Sequence, residues 1–283
     1  MLNRKRVLLE LLYLAGRPLL RVELLKWAFV LRVELRSGGG SAFYEFLPYK
    51  RGPYSFTLRR EIEALVREGF AKSDGHTWSS DAKQEIPTRV LSDIRSVVAR
   101  FQHLPVETLV DYVYKTHPEY TINSDGTRLS PRPVAAPAVF TAGYEGLQVD
   151  SFLRLLIRSG IERLIDVRSN PTARRYGFHK STLTDLCDRV GIDYRHVPEL
   201  GIPSARRAGL DITVDRDELL GWYQREQMPS QNRKVEEVAR WIAEKPSVLV
   251  CMEAEPCQCH RSRLAERVRD LTGLPVIHLG HSD

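Results

Sequence analysis

The residues best suited to chemistry sit in the carboxyl-terminal half, each group following an apolar run. Cys251-Met252-Glu253 ends the run that begins at Ser247, and Cys257-Gln258-Cys259-His260-Arg261-Ser262 opens a helical pattern shortly after it. Asp166-Val167-Arg168 ends a second run and is followed by Arg174, Arg175 and Tyr176. Gly143-Tyr144-Glu145 follows a third run, and Pro198-Glu199 a fourth. The carboxylates Asp166, Glu199 and Glu253, set among arginines, suit general acid/base or glycosidic-bond chemistry on a phosphate-bearing substrate such as a nucleotide.

Other chemistries compete for the same residues. A cysteine at a helix start gains thiolate character, so Cys251 and Cys259 are candidate nucleophiles. Strand, cysteine loop with arginine, then helix is also the layout of rhodanese-type sulfurtransferases and cysteine phosphatases. Free backbone N–H groups at that helix start favour an anion. Arg168, Arg174, Arg175, Tyr176, His260, Arg261, Ser262 and Tyr144 are the candidate anion-binding set, with arginine the forked donor. Cys251, Cys257, Cys259 and His260 are soft ligands open to a metal reading, but Cys257-x-Cys259-His260 is too compressed for all three to bind one zinc ion, and no second pair exists. No metal and no cofactor is therefore assigned. Against all these readings stands a plainer one, that Asp166–Arg168 and Glu253–Arg261 are buried ion pairs that brace loops, since such pairs mimic functional sites.

These residues need elements to position them. From Val139 onward, short apolar runs alternate with helical patterns. Strands are expected over 139–142, 163–168, 193–197, 247–251 and 276–279, and helices over about 149–159, 180–190, 230–243 and 260–271. That alternation predicts an α/β fold, a mostly parallel sheet with helices on both faces. In such sheets ligands bind beyond the carboxyl ends of the strands. The long polar stretch from Gly201 to Gly221 reads as a lid or a plain surface loop.

The amino-terminal part reads differently. Helices are expected over about 4–15, 19–34 and 56–68, then a hairpin from Phe70 to Trp78 through Asp74-Gly75, then helix over about 91–115. Helix, helix, helix, hairpin is the order of a mainly α, winged-helix-like domain. The run Phe43–Tyr54 mixes aromatics with positive charge and ends in a Gly52-Pro53 turn. Lys50, Arg51, Arg59 and Arg60 are its candidate nucleic-acid contacts. Residues 125–138, rich in proline and poor in large apolar residues, have linker composition. The expected domains are thus 1–124, a winged-helix-like and nucleic-acid-binding domain, and 139–283, the α/β domain, joined by 125–138.

Charge divides the same way. The chain of 283 residues has a net charge of +6, with 18 Lys and Arg against 11 Asp and Glu in residues 1–100 and 24 against 25 in the rest. A basic amino-terminal part points to an anionic partner, DNA before RNA. No run approaches the roughly 20 apolar residues of a membrane helix, and Glu10 interrupts the first apolar run, so no membrane and a cytoplasmic location are expected. Three cysteines within 251–259 suit a reducing compartment better than a disulfide framework. Oligomeric state is not readable.

Two resemblances follow from these motifs. YKRGPYSFTLRREIEALVREGF, with the later LVDYVYKTHPEYTINS, resembles antitoxin-type domains related to the SocA proteolytic adaptor family over roughly residues 5–124. TAGYEG, LIDVRSNP, YRHVPELG and LVCMEAEPCQCHRSRLAE occur in order over about residues 139–280 and resemble the family called domain of unknown function 488. Members carry a Gly-His-Ser-like triplet where this chain has Gly143-Tyr144-Glu145. The second resemblance implies a fold and a site but no reaction. The function expected is a nucleic-acid-associated enzyme that processes a base, nucleotide or phosphate of DNA or RNA in defence or repair. The alternatives are a cysteine-dependent sulfurtransferase- or phosphatase-like enzyme, and a non-enzymatic DNA-binding regulator that senses an anionic small molecule.

Overall fold

The computed structural model describes residues 1–207 and 214–280, and the chain divides into two compact units, Met1–Pro131 and Arg132–Asp283. Each has its own hydrophobic core.

The first unit is mainly helical. Its elements are α1 (Asn3–Ala15), β1 (Leu19–Leu20), α2 (Arg21–Val33), β2 (Leu47–Tyr49), β3 (Gly52–Tyr54), α3 (Phe56–Arg67), β4 (Lys72–Ser73), β5 (Thr77–Ser79), α4 (Thr88–Phe101) and α5 (Val106–Thr116). Helix α2 is buried all round, from Leu24 to Leu31, which marks it as the central core helix. Ser55 caps α3 by accepting from the Leu58 amide at 3.2 Å.

Three expectations change in detail. Leu19 and Leu20 do not open the second helix but pair antiparallel with Trp78 and Thr77, making a small sheet in the order β1-β5-β4. The aromatic, basic run forms the antiparallel hairpin β2–β3, with Tyr49 opposite Gly52, so the turn is Lys50-Arg51 and Gly52-Pro53 lies in the second strand. The helix expected over 91–115 is two helices, because Pro105 lacks the N–H that continuation requires and α5 restarts directly after it.

The second unit is built on one sheet. Its elements are β6 (Val139–Gly143), α6 (Val149–Arg158), β7 (Arg163–Asp166), α7 (Lys180–Arg189), β8 (Asp193–His196), α8 (Ser204–Arg207), α9 (Val214–Trp222), α10 (Met228–Ser230), α11 (Asn232–Glu244), β9 (Ser247–Cys251), α12 (His260–Thr272) and β10 (Val276–Leu279). The five strands are all parallel, in the order β10-β6-β9-β7-β8. The all-buried strands β6, β9 and β7 take the centre, and the half-exposed β8 and β10 take the edges. Val139, Ile165 and Leu249 pack with α11 and α12 on one face. Their neighbours Phe140, Leu164 and Val250 point to the other face and are equally buried.

Part of the polar stretch 201–221 is helical, as α8 and α9; residues 208–213 of it lie outside the described residues.

Candidate functional site

The sheet order places β9 between β6 and β7, so the segments following these three strands meet at one edge. Cys251, the last residue of β9, lies beside Gly143 at the end of β6. The two following loops are tied, since the Tyr144 and Glu145 amides both donate to the Met252 carbonyl, at 3.1 and 2.8 Å. Gly143 is required here for want of space: a Cβ on it would lie 1.8 Å from the Glu253 carbonyl oxygen. Glu145 closes the contact from its side, accepting from the Ala254 amide at 3.1 Å.

At the end of β7, Asp166 and Arg168 form an ion pair that is fully enclosed, with side chains 0% and 5% exposed. Asp166 accepts from Arg168 Nε at 2.8 Å, from the Arg168 amide at 3.1 Å and from the Tyr194 hydroxyl at 2.6 Å. Arg168 also donates from Nη1 to the Tyr144 hydroxyl at 2.8 Å and to the Phe178 carbonyl at 2.9 Å. The rings of Tyr144 and Phe178 stack at 4.1 Å. Burial lowers the basicity of Arg168, and Asp166 more than restores it, so the guanidinium stays charged. Asp166 offers no free lone pair to a substrate and Arg168 is committed to protein oxygens. The pair braces the loop, the alternative the sequence also offered for it.

Arg261 is likewise turned onto protein carbonyls. Only 1% exposed, it donates from Nη1 to the Glu253 carbonyl and from Nη2 to the Ala254 carbonyl at 2.9 Å. It clamps the 253–254 loop, and it pairs with the Glu253 backbone, not its carboxylate. Ser262 turns its hydroxyl onto the Cys259 carbonyl at 2.8 Å. Glu199 is exposed in the short turn Pro198–Leu200, where Gln227 donates to its carbonyl at 3.0 Å. Arg174 and Arg175 are exposed, and Arg175 donates to the Leu147 carbonyl at 2.6 Å; Tyr176 is half-buried.

What the fold does bring together is Cys251, Glu253, Cys259 and His260. The Cys251 thiol donates to Glu253 Oε2 at 3.1 Å. His260 Nδ1 lies 3.9 Å from Cys251 Sγ and 3.9 Å from Cys259 Sγ, and its Nε2 lies 3.1 Å from the Val167 carbonyl. The two sulfurs and the imidazole nitrogen all fall within 4.8 Å of one another, a grouping that could hold a metal ion. The spacing argument against zinc fails here because the partner of Cys259 is the distant Cys251. Cys257, the nearer cysteine, is exposed.

Burial decides how these groups behave. It pushes the Cys259 thiol well above its ordinary value, with Cys251 adding to the shift and His260 opposing it. A buried, protonated thiol is a poor nucleophile, which weighs against Cys259 in that role. For Glu253 burial acts upward, but hydrogen bonds from Cys259 and Cys251 outweigh it and hold the carboxyl below its usual range. Tyr223 covers the cluster, its ring 5.1 Å from that of His260 and its hydroxyl donating to the Leu200 carbonyl at 2.9 Å. Tyr223 was not expected from the sequence, nor was Tyr194; only the inward register of the short strand β8 pointed to the latter.

The first unit holds a second polar feature. A cleft of about 360 Å³ is lined by Arg21, Lys26, Lys50, Arg51, Tyr49, Tyr54 and Asp125, among others. Lys26 is 1% exposed and donates to the Arg51 carbonyl and, at 3.2 Å, to the Pro53 carbonyl. Burial, followed by the Arg51 charge, lowers its pKa to about 7. Of the expected nucleic-acid contacts, Lys50 and Arg51 are exposed at the hairpin tip and line this cleft. On α3, Arg59 is held by Glu63 at 2.9 Å, and Arg60 is exposed. The sequence sign of Lys26 is that it is a lone lysine in the apolar stretch of α2.

Residues 148–268 match the family model described as Domain of unknown function DUF488. No curated protein and no solved structure matches the chain. No helix among the described residues is long and apolar enough to cross a membrane.

Proposed function

We propose that the protein is a nucleic-acid-associated enzyme; the family model matched by residues 148–268 supplies no reaction, so the reading rests on the site. In this reading the amino-terminal unit holds a DNA or RNA strand. The carboxyl-terminal unit then acts on a base, nucleotide or phosphate at the edge where Cys251, Glu253, Cys259 and His260 converge.

The observation that carries the reading is the cleft of the first unit. Its basic side chains, Arg21, Lys50 and Arg51 above the buried Lys26, supply the charge that phosphates need. The rings of Tyr49 and Tyr54 supply a surface for a base, and base–aromatic stacking contributes about 1–3 kcal/mol per base without regard to sequence. In the second unit Glu253 is the acid/base candidate, because Asp166 is locked in its ion pair while Glu253 faces two polarisable thiols.

Oligonucleotide binding measured by fluorescence anisotropy over a salt series tests the first half of this function. The logarithm of affinity should fall steeply and linearly with the logarithm of salt concentration. Lys50→Ala and Arg51→Ala should each reduce the slope by roughly one unit. A flat response, or no binding tighter than micromolar, would remove the nucleic acid from the account.

A further inference from the structure

The enclosed cluster at the end of β9 carries an inference beyond the nucleic-acid reading. We propose that Cys251, Cys259 and His260 Nδ1 bind one divalent cation of the zinc class, with Glu253 flanking its fourth position.

The distances suit such an ion. Bonds of about 2.3 Å to sulfur and 2.0–2.1 Å to nitrogen in a tetrahedron set sulfur and nitrogen ligands about 3.6 Å apart. Both Nδ1-to-sulfur separations are 3.9 Å, close to that edge before any ion draws the ligands inward. The histidine is also prepared for the task. A carbonyl only accepts, so the 3.1 Å contact of His260 Nε2 with the Val167 carbonyl places the ring proton on Nε2. Nδ1 is thereby left with its lone pair toward the sulfurs, the arrangement by which outer partners orient ligating histidines.

Rigid elements supply all three ligands: Cys251 ends a fully buried central strand, and Cys259 and His260 start α12. Arg261 holds the intervening loop by the Glu253 and Ala254 carbonyls, and Gly143 lets that loop approach β6. Two thiolates and an imidazole are soft to borderline ligands, which favour zinc over magnesium or calcium. Binding releases the two thiol protons to solvent and leaves the ion with its dithiolate formally neutral. Three protein ligands with a fourth position beside a carboxylate is the layout of a zinc site able to carry a water. Glu253, whose Oε2 is 3.1 Å from Cys251 Sγ and which alone of the four residues is not fully buried, lies on that side.

This inference stands on the cluster alone and holds whether or not the protein binds nucleic acid. Its test is elemental analysis of the full chain purified from zinc-supplemented cultures, followed by chelation and titration with Co²⁺. One zinc per chain is expected, and Co²⁺ should produce sulfur-to-cobalt charge-transfer absorption in the near ultraviolet. That absorption should persist in Cys187→Ser, Cys257→Ser and Glu253→Gln. In Cys251→Ser, Cys259→Ser and His260→Ala, Co²⁺ affinity should fall at least tenfold. Should those variants misfold, the wild-type stoichiometry and spectrum decide the matter. Less than one-tenth of a zinc per chain together with no charge-transfer absorption from wild type overturns the proposal. Loss of the absorption in Cys257→Ser, or in Glu253→Gln, overturns the ligand assignment.

Discussion

Arg261 encloses the loop that precedes it by donating to the Glu253 carbonyl, so a guanidinium only 1% exposed sets where the Glu253 side chain stands. Its Nε has no hydrogen-bond partner among the described residues, so the loop is held through Nη1 and Nη2 alone. Arg261→Met should leave two carbonyls unpaired and cost about 1–3 kcal/mol for each that stays buried. Urea unfolding of the carboxyl-terminal unit measures this, and an unchanged midpoint would show that the clamp is dispensable.

Thiol reactivity reports the same packing. Cys257 is exposed while Cys187, Cys251 and Cys259 are buried, and burial pushes the Cys187 thiol far above its ordinary value. Ellman's reagent should find a single fast thiol in the native chain and all four after unfolding. Cys257→Ser should abolish the fast phase. Fast labelling of a second thiol would place Cys251 or Cys259 at the surface.

The Asp166–Arg168 pair predicts stability rather than activity. Removing one partner of a buried ion pair strands the other charge and costs about 3–5 kcal/mol. Arg168→Met should therefore destabilise the carboxyl-terminal unit strongly. Tyr194→Phe, which removes only the 2.6 Å bond to Asp166, should cost roughly 1.5–3 kcal/mol, as for a hydrogen bond to a charged group. Chemical denaturation of both variants checks the order, and equal losses would contradict it.

Lys26 gives the amino-terminal unit a pH response. Its folded pKa, about 7, lies below the ordinary 10.5, so between these values the unfolded chain binds the extra proton. Stability must fall as the pH is lowered from about 10.5 to about 7, and the contribution is constant below that. Protonation also adds a charge beneath Arg21, Lys50 and Arg51, opposed within the cleft only by Asp125. The melting temperature of this unit should rise from pH 7 to pH 9 in wild type, with a shallower rise in Lys26→Met. Oligonucleotide affinity should strengthen from pH 8 to pH 6. Parallel behaviour of wild type and variant would assign the effect to other groups.

The frame of the carboxyl-terminal unit was legible because its strands are distinct apolar runs and its helices end at glycines such as Gly160 and Gly191. Which residues do chemistry there was less legible. Sequence spacing sets Cys259 beside its neighbour Cys257, whereas the fold brings its sulfur within 4.8 Å of that of Cys251 across the loop. Arginines read as ligand contacts because their type suits anions; that Arg168 and Arg261 turn onto Asp166, Phe178, Glu253 and Ala254 depends on loop paths that no periodicity encodes. The short strand β1 and the hairpin β2–β3 escaped for a simpler reason. Two or three residues carry no measurable alternation.

The most direct test of the account is intact-mass analysis of DNA and RNA oligonucleotides, single- and double-stranded, incubated with the full chain. The account predicts a mass change in a base, nucleotide or phosphate with wild type, slowed by about 10²–10⁴-fold in Glu253→Gln, the range for loss of a general acid or base. Oligonucleotides that bind tightly but keep their mass would contradict it.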